Sequence, residues 1–347
     1  MSTLYPVKVF ASRGSEGLAE GVFEHLRLRL PEKLQVGDSL TFGKVKIDEF
    51  SNDNILVQVE NVRDHLVIVI HTQVPPVDKG IIELFHLLDA LNNARAADIL
   101  LVFPYMPYAR SDRKNQPRIS TMGYTLPHIL TTSFDIRKVL LLDPHDSHLK
   151  HYFNPAADEI SAIYLLIDYL EREVFTPELK RNSVVVFSDA GAARRFSQIP
   201  EILKLPEAYM SKQRSDSNEK PEIKTVVGQV KNKFCLLVDD EILTGSTAIG
   251  DAKLLLSEGA NLVSMLAVHA ILAQKQVSES EVIKKLEESP IERFVVTDTV
   301  PVHHKLAEAR KFTVISVTKL LAEAIKRTIL GESLTALHNY ENVSLYR

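Results

Sequence analysis

The chain of 347 residues is long enough for two domains of ordinary size. Its 45% hydrophobic and 25% charged residues are typical of a globular protein, and its net charge of −4 argues against nucleic acid as the main partner. No apolar run approaches the length that spans a membrane, and we expect no signal peptide before the first strand. The single cysteine, Cys235, lies in an apolar run, so we expect a core residue, no disulfide framework and a reducing cytoplasm.

Short apolar strands alternate with amphipathic helices along most of the chain. The first half predicts strands over residues 7–10, 65–70, 99–104 and 139–142, and helices over residues 80–93 and 121–131. The second half predicts strands over residues 183–187, 234–238, 262–267 and 293–297, and a helix over residues 248–258 that Gly259 stops. This alternation indicates an α/β fold with mostly parallel, doubly wound sheets, whose binding sites form at the carboxyl ends of strands. We expect two such domains, residues 1–158 and 159–347.

A charged segment follows one predicted strand of the first half. Residues 103–114 read F-P-Y-M-P-Y-A-R-S-D-R-K. The cations Arg110, Arg113 and Lys114 suit a polyphosphate, because guanidinium groups make bidentate phosphate contacts. A solvated surface loop is the alternative interpretation.

A second polar segment, residues 141–153, reads L-L-D-P-H-D-S-H-L-K-H-Y-F. Asp143 and His145 follow the next predicted strand, and an aspartate near a histidine suits a Mg²⁺–nucleotide site in which the metal keeps several waters. Zinc is the other metal to consider. The spacing does not match a usual structural zinc site, and no thiolate is near.

Two segments of the second half also carry candidate residues. Residues 188–195, S-D-A-G-A-A-R-R, place Asp189, a glycine and a basic pair after a strand, which is a weak signal alone. The polar residues 211–224 have no hydrophobic period and predict a long flexible loop. With Lys212 and Arg214 near a phosphate site, this loop has the character of a catalytic lid. A surface excursion without function is the alternative.

The most specific segment is residues 234–247, F-C-L-L-V-D-D-E-I-L-T-G-S-T. A buried strand ends in Asp239 and Asp240, whose carboxylates can accept hydrogen bonds from a ribose diol. Residues 244–247 then open a helix, and their hydroxyls and free N–H groups can hold a phosphate. The combination fits a ribose 5-phosphate, although an ordinary strand–turn–helix with a polar turn is the plainer alternative.

This last segment resembles the phosphoribosyl-pyrophosphate loop that type I phosphoribosyltransferases share with ribose-phosphate pyrophosphokinases (PRPP synthetases). The other segments resemble the pyrophosphokinases, in the same order. The family's P-Y-x-x-Y-A-R-x-D-R-K matches residues 104–114, D-L-H-x-x-x-x-x-x-F-F aligns with 143–153, S-P-D-x-G-G with 187–192, K-R-R with 212–214 and D-D-x-x-x-T-x-G-T with 239–247. The resemblance covers nearly the whole chain and implies two domains of the phosphoribosyltransferase type.

The resemblance implies an enzyme that transfers the β,γ-diphosphoryl group of ATP to O1 of ribose 5-phosphate, giving PRPP and AMP, with Mg²⁺ as cofactor. It implies a homo-oligomer in which dimers form a hexamer and a neighbouring subunit contributes to the ATP site. The residues carried over are Lys212 and Arg214 for catalysis; Asp239, Asp240, Thr244, Gly245, Ser246 and Thr247 for ribose 5-phosphate; Phe50, Asn52, Asn54, Arg110, Ser111, Asp112 and His145 for ATP; and Asp143, His145 and Asp189 for the metal.

The chain departs from the family pattern mainly on the nucleotide side. The family's F-x-D-G-E is here F-S-N-D-N, so that amides at Asn52 and Asn54 replace two carboxylates. An amide can donate as well as accept, so we expect looser base selection than for ATP alone. Two alternatives stay open: a non-catalytic homologue that regulates a true synthetase, and a phosphoribosyltransferase that consumes PRPP. The second alternative leaves residues 104–114 and 143–145 unexplained.

Overall fold

The structure, a computed structural model, describes residues 5–30, 39–73, 75–114, 117–213, 223–273, 275–302 and 304–347. The chain forms two units. Unit 1 comprises Met1–Ser161, Thr299–Pro301 and Val317–Arg347, and unit 2 comprises Ala162–Asp298 and Val302–Ser316. Each unit is built on its own largely parallel sheet. Among the helices of the described residues, none combines the length and the apolar character needed to cross a membrane.

Unit 1 is organised around a six-stranded parallel sheet with the order β2-β1-β5-β6-β7-β8. Its elements in chain order are β1 (Val7–Ala11), α1 (Glu16–Arg29), β2 (Leu40–Phe42), β3 (Val45–Glu49), β4 (Ile55–Val59), β5 (Leu66–Ile70), α2 (Val77–Asn93), β6 (Asp98–Phe103), α3 (Met122–Ser133), β7 (Ile136–Leu142), a 3₁₀ helix (Ser147–Tyr152) and β8 (Asp158–Ile160). Strands β3 and β4 form a separate antiparallel hairpin. Strand β5, L-V-I-V-I, shows why the sheet forms here, because a parallel strand buried on both faces requires a continuous apolar run.

Unit 2 is organised around a seven-stranded sheet with the order β11-β10-β9-β12-β13-β14-β15. Its elements are α4 (Ile163–Tyr169), which continues into a π-helical turn (Leu170–Val174), α5 (Pro177–Arg181), β9 (Ser183–Phe187), α6 (Ala190–Arg195), α7 (Gln198–Leu203), β10 (Glu207–Gln213), β11 (Ile223–Val227), β12 (Phe234–Ile242), α8 (Ser246–Ser257), β13 (Leu262–Ala270), α9 (Glu279–Glu287), β14 (Phe294–Thr297), α10 (His304–Glu308) and β15 (Phe312–Ile315). The pairing is parallel except between β10 and β11. Cys235 is buried in β12, where burial raises the pKa of its thiol to about 12, so its predicted core position is confirmed.

The C-terminal segment returns to unit 1. Helix α11 (Thr318–Leu330) packs against α1, where a Cβ added to Gly21 would lie 2.6 Å from Cγ2 of Thr318. Arg29 of α1 also donates to Glu323 of α11 at 2.9 Å. Two 3₁₀ helices, Leu334–His338 and Tyr340–Leu345, complete the chain. The predicted domain of residues 159–347 therefore needs a correction, because contacts with α1 hold its last thirty residues or so in unit 1.

All of the predicted strands are present, but several boundaries were wrong, including the start of β7 at Ile136 and the end of β13 at Ala270. The strand predicted over residues 234–238 continues to Ile242, because its hydrogen bonds with β13 extend to that residue. The flexible loop predicted over residues 211–224 is a strand at both ends, since β10 runs to Gln213 and β11 begins at Ile223. Lys212 lies opposite Lys224 in this antiparallel pair. The rest of the predicted loop, residues 214–222, lies outside the described part of the chain.

Candidate active site

Asp239 and Asp240, the acidic pair, lie in the part of β12 that extends beyond the end of its neighbour β9. Pairing with β9 ends at Val238, whereas pairing with β13 continues to Ile242. Asp239 and Asp240 are therefore bonded to a neighbouring strand on one side only, at the carboxyl end of the sheet. Asp240 is buried, and its N–H donates to the Asp239 carboxylate at 2.9 Å. The geometry leaves the two side chains at the edge where ligands of parallel sheets bind.

A buried ion pair fixes one of the two carboxylates. Arg195, the last residue of α6, donates through Nη1 to Oδ2 of Asp240 at 2.9 Å. The exposed fractions of the two side chains are 15% for Arg195 and 6% for Asp240, so solvent screens the pair weakly. Asp239 has a different environment. Burial, and then the charge of Asp240, raise the pKa of Asp239 to about 8. The pair thus combines one carboxylate held by a cation with one that favours its protonated form.

The loop after β12 has the shape of an anion site. Gly245 is the N-cap residue of α8 and has a left-handed backbone conformation, with φ of 70°. A residue with a side chain adopts this conformation only with strain. The N–H of Ser246 donates to Oγ1 of Thr244 at 3.3 Å, and the Thr244 hydroxyl donates to that of Ser246 at 3.1 Å. Ser246 and Thr247 are exposed. The first turn of α8 therefore presents hydroxyls and N–H groups to solvent, as a phosphate site requires.

The other candidate residues of unit 2 lie on neighbouring elements. Asp189 follows β9, is exposed, and caps α6 by accepting the N–H of Ala192 at 2.8 Å. One of its carboxylate oxygens is thus engaged by the backbone. Lys212 lies near the end of β10, and the structure describes its backbone only. Arg214 lies outside the described residues.

In unit 1 the predicted metal residues follow β7. Asp143 is buried in a left-handed conformation with φ of 39°, and its N–H donates to the carbonyl of Ile160 at 3.0 Å. The Ser161 hydroxyl donates to Oδ1 of Asp143 at 2.5 Å. His145 is half-buried two residues later. The main chain of Asp143 is thus fixed by β8, and its carboxylate is held by the hydroxyl of Ser161.

Asp146 organises the same turn, although it was not among the predicted residues. It accepts hydrogen bonds from the N–H of His148 at 2.9 Å and from Nδ1 of His148 at 2.7 Å, and it pairs with Arg113. Burial would raise the pKa of Asp146, but the hydrogen bonds from His148 and the charge of Arg113 outweigh it and hold that pKa below its usual value. The D-P-H-D run of residues 143–146 indicated a site, but nothing in the sequence showed that its second aspartate, Asp146, organises the turn.

The segment after β6 is tied to this turn by Arg113. Arg113 also pairs with Asp112 at 3.2 Å, so two carboxylates share its guanidinium. Ser111 is held through its backbone, which accepts the N–H of Gly123 at 3.0 Å. Arg110 is exposed. Of the cations predicted to bind polyphosphate, Arg113 thus has a structural role in this loop, and Arg110 is presented at its surface.

The predicted nucleotide segment forms the tip of the β3–β4 hairpin. The N–H of Phe50 donates to the carbonyl of Asn54 at 2.8 Å, and Oδ1 of Asn52 accepts the N–H of Asn54 at 3.3 Å. Asp53 takes the left-handed position of the turn, with φ of 63°. The Phe50 side chain is 55% exposed. The aromatic ring at this hairpin tip is therefore largely open to solvent.

No group of three or more histidine, cysteine or carboxylate side chains in the described part of the chain is arranged to hold a metal ion. Asp143 and His145 lie in unit 1, and Asp189 lies in unit 2.

Comparison with known proteins decides the family. Residues 7–133 match the model of the N-terminal domain of ribose phosphate pyrophosphokinase, and residues 205–339 match a phosphoribosyl synthetase-associated domain. The ribose-phosphate pyrophosphokinase of Aquifex aeolicus is 30% identical over 95% of this chain and 98% of its own. Ribose-phosphate pyrophosphokinase A of Dictyostelium discoideum is 33% identical over 86% of this chain and 91% of its own. The chain belongs to the ribose-phosphate pyrophosphokinase family.

The fold agrees with this membership. The crystal structure of phosphoribosylpyrophosphate synthetase from Mycobacterium smegmatis matches with a TM-score of 0.80 and 27% identity, over 94% of this chain and 99% of that one. The predicted family and the predicted α/β fold of phosphoribosyltransferase type are therefore confirmed. A phosphoribosyltransferase alone does not account for the first half, which matches the pyrophosphokinase N-terminal domain.

From the sequence, Arg195 was noted only as one of a basic pair, and no role was assigned to Asp146 or to one further cation, Lys285. Lys285 lies in the last turn of α9 and donates to Ser246 Oγ at 2.7 Å and to the carbonyl of Thr244 at 3.2 Å. In the sequence it is one of two adjacent lysines on an amphipathic helix, a pattern typical of a solvated face. Only the packing of α9 beside the anion loop distinguishes it.

Proposed function

We propose that the chain catalyses the transfer of the β,γ-diphosphoryl group of ATP to O1 of ribose 5-phosphate, giving PRPP and AMP. One observation carries the proposal, namely that the acidic pair and the anion loop follow one another at the end of β12 and the start of α8. Diol acceptors next to phosphate donors match the two ends of a ribose 5-phosphate. Membership of the pyrophosphokinase family supports the same substrate.

On the sugar side, Asp239 and Asp240 accept hydrogen bonds from the 2- and 3-hydroxyls of ribose. Arg195 supports this role, because its hydrogen bond to Oδ2 of Asp240 fixes that carboxylate at the carboxyl end of the sheet. Residues Thr244, Gly245, Ser246 and Thr247 bind the 5-phosphate through hydroxyls and the helix N-terminus. The left-handed Gly245 makes this turn tight enough for backbone N–H groups to approach the anion.

On the nucleotide side, the loops after β6 and β7 bind ATP. Arg110, Ser111 and Asp112 come from the first loop and His145 from the second, and the link of Arg113 to Asp146 holds the two loops together. Phe50, Asn52 and Asn54 bind the base from the hairpin tip. Mg²⁺ would accompany ATP and neutralise phosphate charge, and the residues that would hold it are Asp143, His145 and Asp189. The carboxylates supply the oxygen donors that Mg²⁺ prefers, and the substrate phosphates and waters would supply the rest.

The reaction is a displacement at the β-phosphorus of ATP. A bond forms from O1 of the sugar to this phosphorus, the bond to the α-phosphate oxygen breaks, the O1 proton is released and AMP leaves. Such chemistry requires positioning and charge neutralisation more than covalent help from the protein. Lys212 and Arg214 neutralise the charge on the oxygens of the migrating diphosphoryl group. They accelerate the reaction because this charge contact is stronger in the transition state than in the ground state.

We also propose that the enzyme works as a homo-oligomer in the cytoplasm. The hairpin supports an assembly, because Phe50 and Leu56 expose 55% and 48% of their surfaces. A neighbouring copy that covers this tip would complete the base site. The single free cysteine supports a reducing compartment.

The assay that tests the function uses the purified chain alone with ATP and ribose 5-phosphate. We expect AMP and PRPP in equal amounts, and neither product without the sugar phosphate. The competing function is that of a non-catalytic regulator, which the amides at Asn52 and Asn54 favour because they depart from the family's carboxylates. That function predicts no AMP from the chain alone and a changed rate when a catalytic relative is added.

A further inference from the structure

Helix α9 places a lysine over the anion loop. The ammonium of Lys285 lies 2.7 Å from Oγ of Ser246 and 3.2 Å from the carbonyl oxygen of Thr244. The next residue, Leu286, is fully buried and lies under the loop, where its Cδ2 would be 2.4 Å from a Cβ added to Gly245. Packing of Leu286 against Gly245 therefore fixes the position from which Lys285 reaches the loop.

The surroundings of Lys285 suit an anion. Both oxygens that it contacts are uncharged, and among the described residues its ammonium has no carboxylate within ion-pair distance. Its neighbour Lys284 points to a different environment, 3.9 Å from Glu288 on the exposed surface of the same helix. A cation whose contacts are a hydroxyl and a carbonyl keeps its charge available to a ligand of that hydroxyl.

The charge of the ligand favours such a cation. A phosphate monoester carries about −1.5 to −2 charges near pH 7. The N-terminus of α8 supplies the equivalent of roughly +0.5 charge. Apart from Lys285, the loop residues Thr244, Gly245, Ser246 and Thr247 contribute hydroxyls and N–H groups but no positive charge.

We propose that Lys285 is a phosphate-binding residue that neutralises the 5-phosphate of ribose 5-phosphate through its position above Ser246. The inference rests on the proposed function and adds a residue to its sugar-phosphate site. A phosphate oxygen that takes a hydrogen bond from Ser246 lies within a few ångströms of the Lys285 ammonium. At that distance the attraction is appreciable even at a solvated surface, and it decreases with added salt.

The test is calorimetric titration of ribose 5-phosphate into the natural protein and four variants. We expect Lys285→Ala and Lys285→Gln to weaken binding by roughly tenfold, because each loses a charge-assisted contact. Lys285→Arg keeps the charge and should retain most of the affinity. Lys284→Ala is the matched control, one residue away on the same helix turn, and should bind as the natural protein does. Thermal unfolding of each variant verifies that the fold is kept.

Steady-state kinetics and the salt dependence of binding distinguish the effect of the Lys285 charge from the effect of its shape. In Lys285→Ala the KM for ribose 5-phosphate should rise while kcat and the KM for ATP stay within about twofold, since the contact is made equally in the ground and transition states. The decrease of affinity with salt should be shallower than in the natural protein. Natural affinity in Lys285→Gln would overturn the proposal, because the hydrogen bond and not the charge would then matter. Failure of the natural protein to bind ribose 5-phosphate at all would instead overturn the proposed function.

Discussion

Asp240 has a structural role, which its contact with Arg195 shows, and a binding role, which we propose. Asp240→Ala removes a carboxylate that the buried guanidinium contacts, and such losses cost about 3–5 kcal/mol of unfolding free energy. Asp240→Asn keeps one acceptor oxygen and should lose less. Both variants should weaken ribose 5-phosphate binding by roughly tenfold or more. Denaturant unfolding and calorimetric titration measure the two effects separately.

The affinity for ATP is the internal control of this experiment, because Asp240 contacts only the sugar in the proposed site. Unchanged sugar-phosphate affinity in both variants would leave Asp240 with the structural role alone. The role of Asp240 as an acceptor could be predicted from its position after an apolar run. Its partner could not, since Arg195 is 45 positions away and the contact depends on how α6 packs beside β12.

Asp239 should make the stability of the protein depend on pH. Its folded-state pKa is raised to about 8, by burial first and by the charge of Asp240 second, from an ordinary value of 3.8. Between these values the folded protein holds a proton that the unfolded chain has released, so stability falls as the pH rises. The free energy of unfolding of Asp239→Asn should therefore exceed that of the natural protein by about 1–3 kcal/mol at pH 8. This figure is reduced because solvent screens a half-buried group. The difference should decrease to zero toward pH 4.

Urea unfolding of both proteins at several pH values between these limits measures the difference. The slope is the informative quantity, because the substitution can also change stability by an amount that does not depend on pH. A constant difference across the range would contradict a raised pKa for Asp239.

At the scale of elements, the turn between β12 and α8 depends on a glycine for two reasons. Gly245 has φ of 70°, and an added Cβ would lie 2.4 Å from Cδ2 of Leu286 on α9. A left-handed conformation costs an ordinary residue roughly 1–2 kcal/mol, and displacement of a buried leucine adds to it. We expect Gly245→Ala to lose about 2–4 kcal/mol of unfolding free energy and to weaken ribose 5-phosphate binding.

The same helix provides the control. A Cβ added to Gly250 of α8 meets nothing within 4 Å, and its φ is not in the left-handed region. Gly250→Ala should stabilise the protein by about 0.5–1 kcal/mol, because alanine loses less entropy in a helix. Denaturant midpoints of the two variants should therefore move in opposite directions. A loss of stability in both would show that α8 tolerates no added side chain, whatever the backbone angle.

The buried elements could be predicted because their signal is local. A run such as L-V-I-V-I in β5 needs no knowledge of its neighbours to indicate a buried strand. Several strands that the sequence did not predict lie at sheet edges or in the β3–β4 hairpin, and β10 lies next to the edge strand β11. Strand β3 has exposed residues after its first position, and β10 continues into a polar stretch, so neither shows a continuous apolar run. These strands form because they hydrogen-bond to neighbouring strands. The sequence of either segment alone does not indicate which strand is its partner.

At the scale of the whole molecule, the C-terminal residues Val317–Arg347 belong to unit 1, together with the N-terminal half of the chain. Glu323 of α11 is 2% exposed and accepts from Arg29 of α1, from Lys326 and from Arg327, each at 2.9 Å. A contact between residues 294 positions apart has no local signal, so sequence order misassigned the helix to the second domain. The apolar face of α11 was predictable, but the surface that it covers was not.

We expect Glu323→Gln to weaken unit 1 in particular. The variant leaves three cations around an uncharged group, which should cost about 3–5 kcal/mol, as for a buried ion pair that loses one partner. Hydrogen exchange should accelerate in α1, α11 and β1 more than in β12 and β13. Glu332→Gln is the control, because Glu332 is 45% exposed and lies 3.9 Å from Arg327. Equal acceleration in both units would contradict the assignment of α11 to unit 1.

The pH dependence of this variant gives an independent test of the same cluster. Burial would raise the pKa of Glu323, but the hydrogen bond from Lys326 and the other cations outweigh it and lower that pKa below 4.5. A lowered carboxyl pKa contributes stability that is fully present above 4.5 and is lost as the pH falls through the folded-state value. The natural protein should therefore exceed Glu323→Gln in stability by a constant amount at neutral pH, and this difference should shrink in acid. The sign is opposite to that expected for Asp239, where the variant and not the natural protein is the more stable one. If the difference instead grew on acidification, the ionised carboxylate would not be what joins α11 to α1.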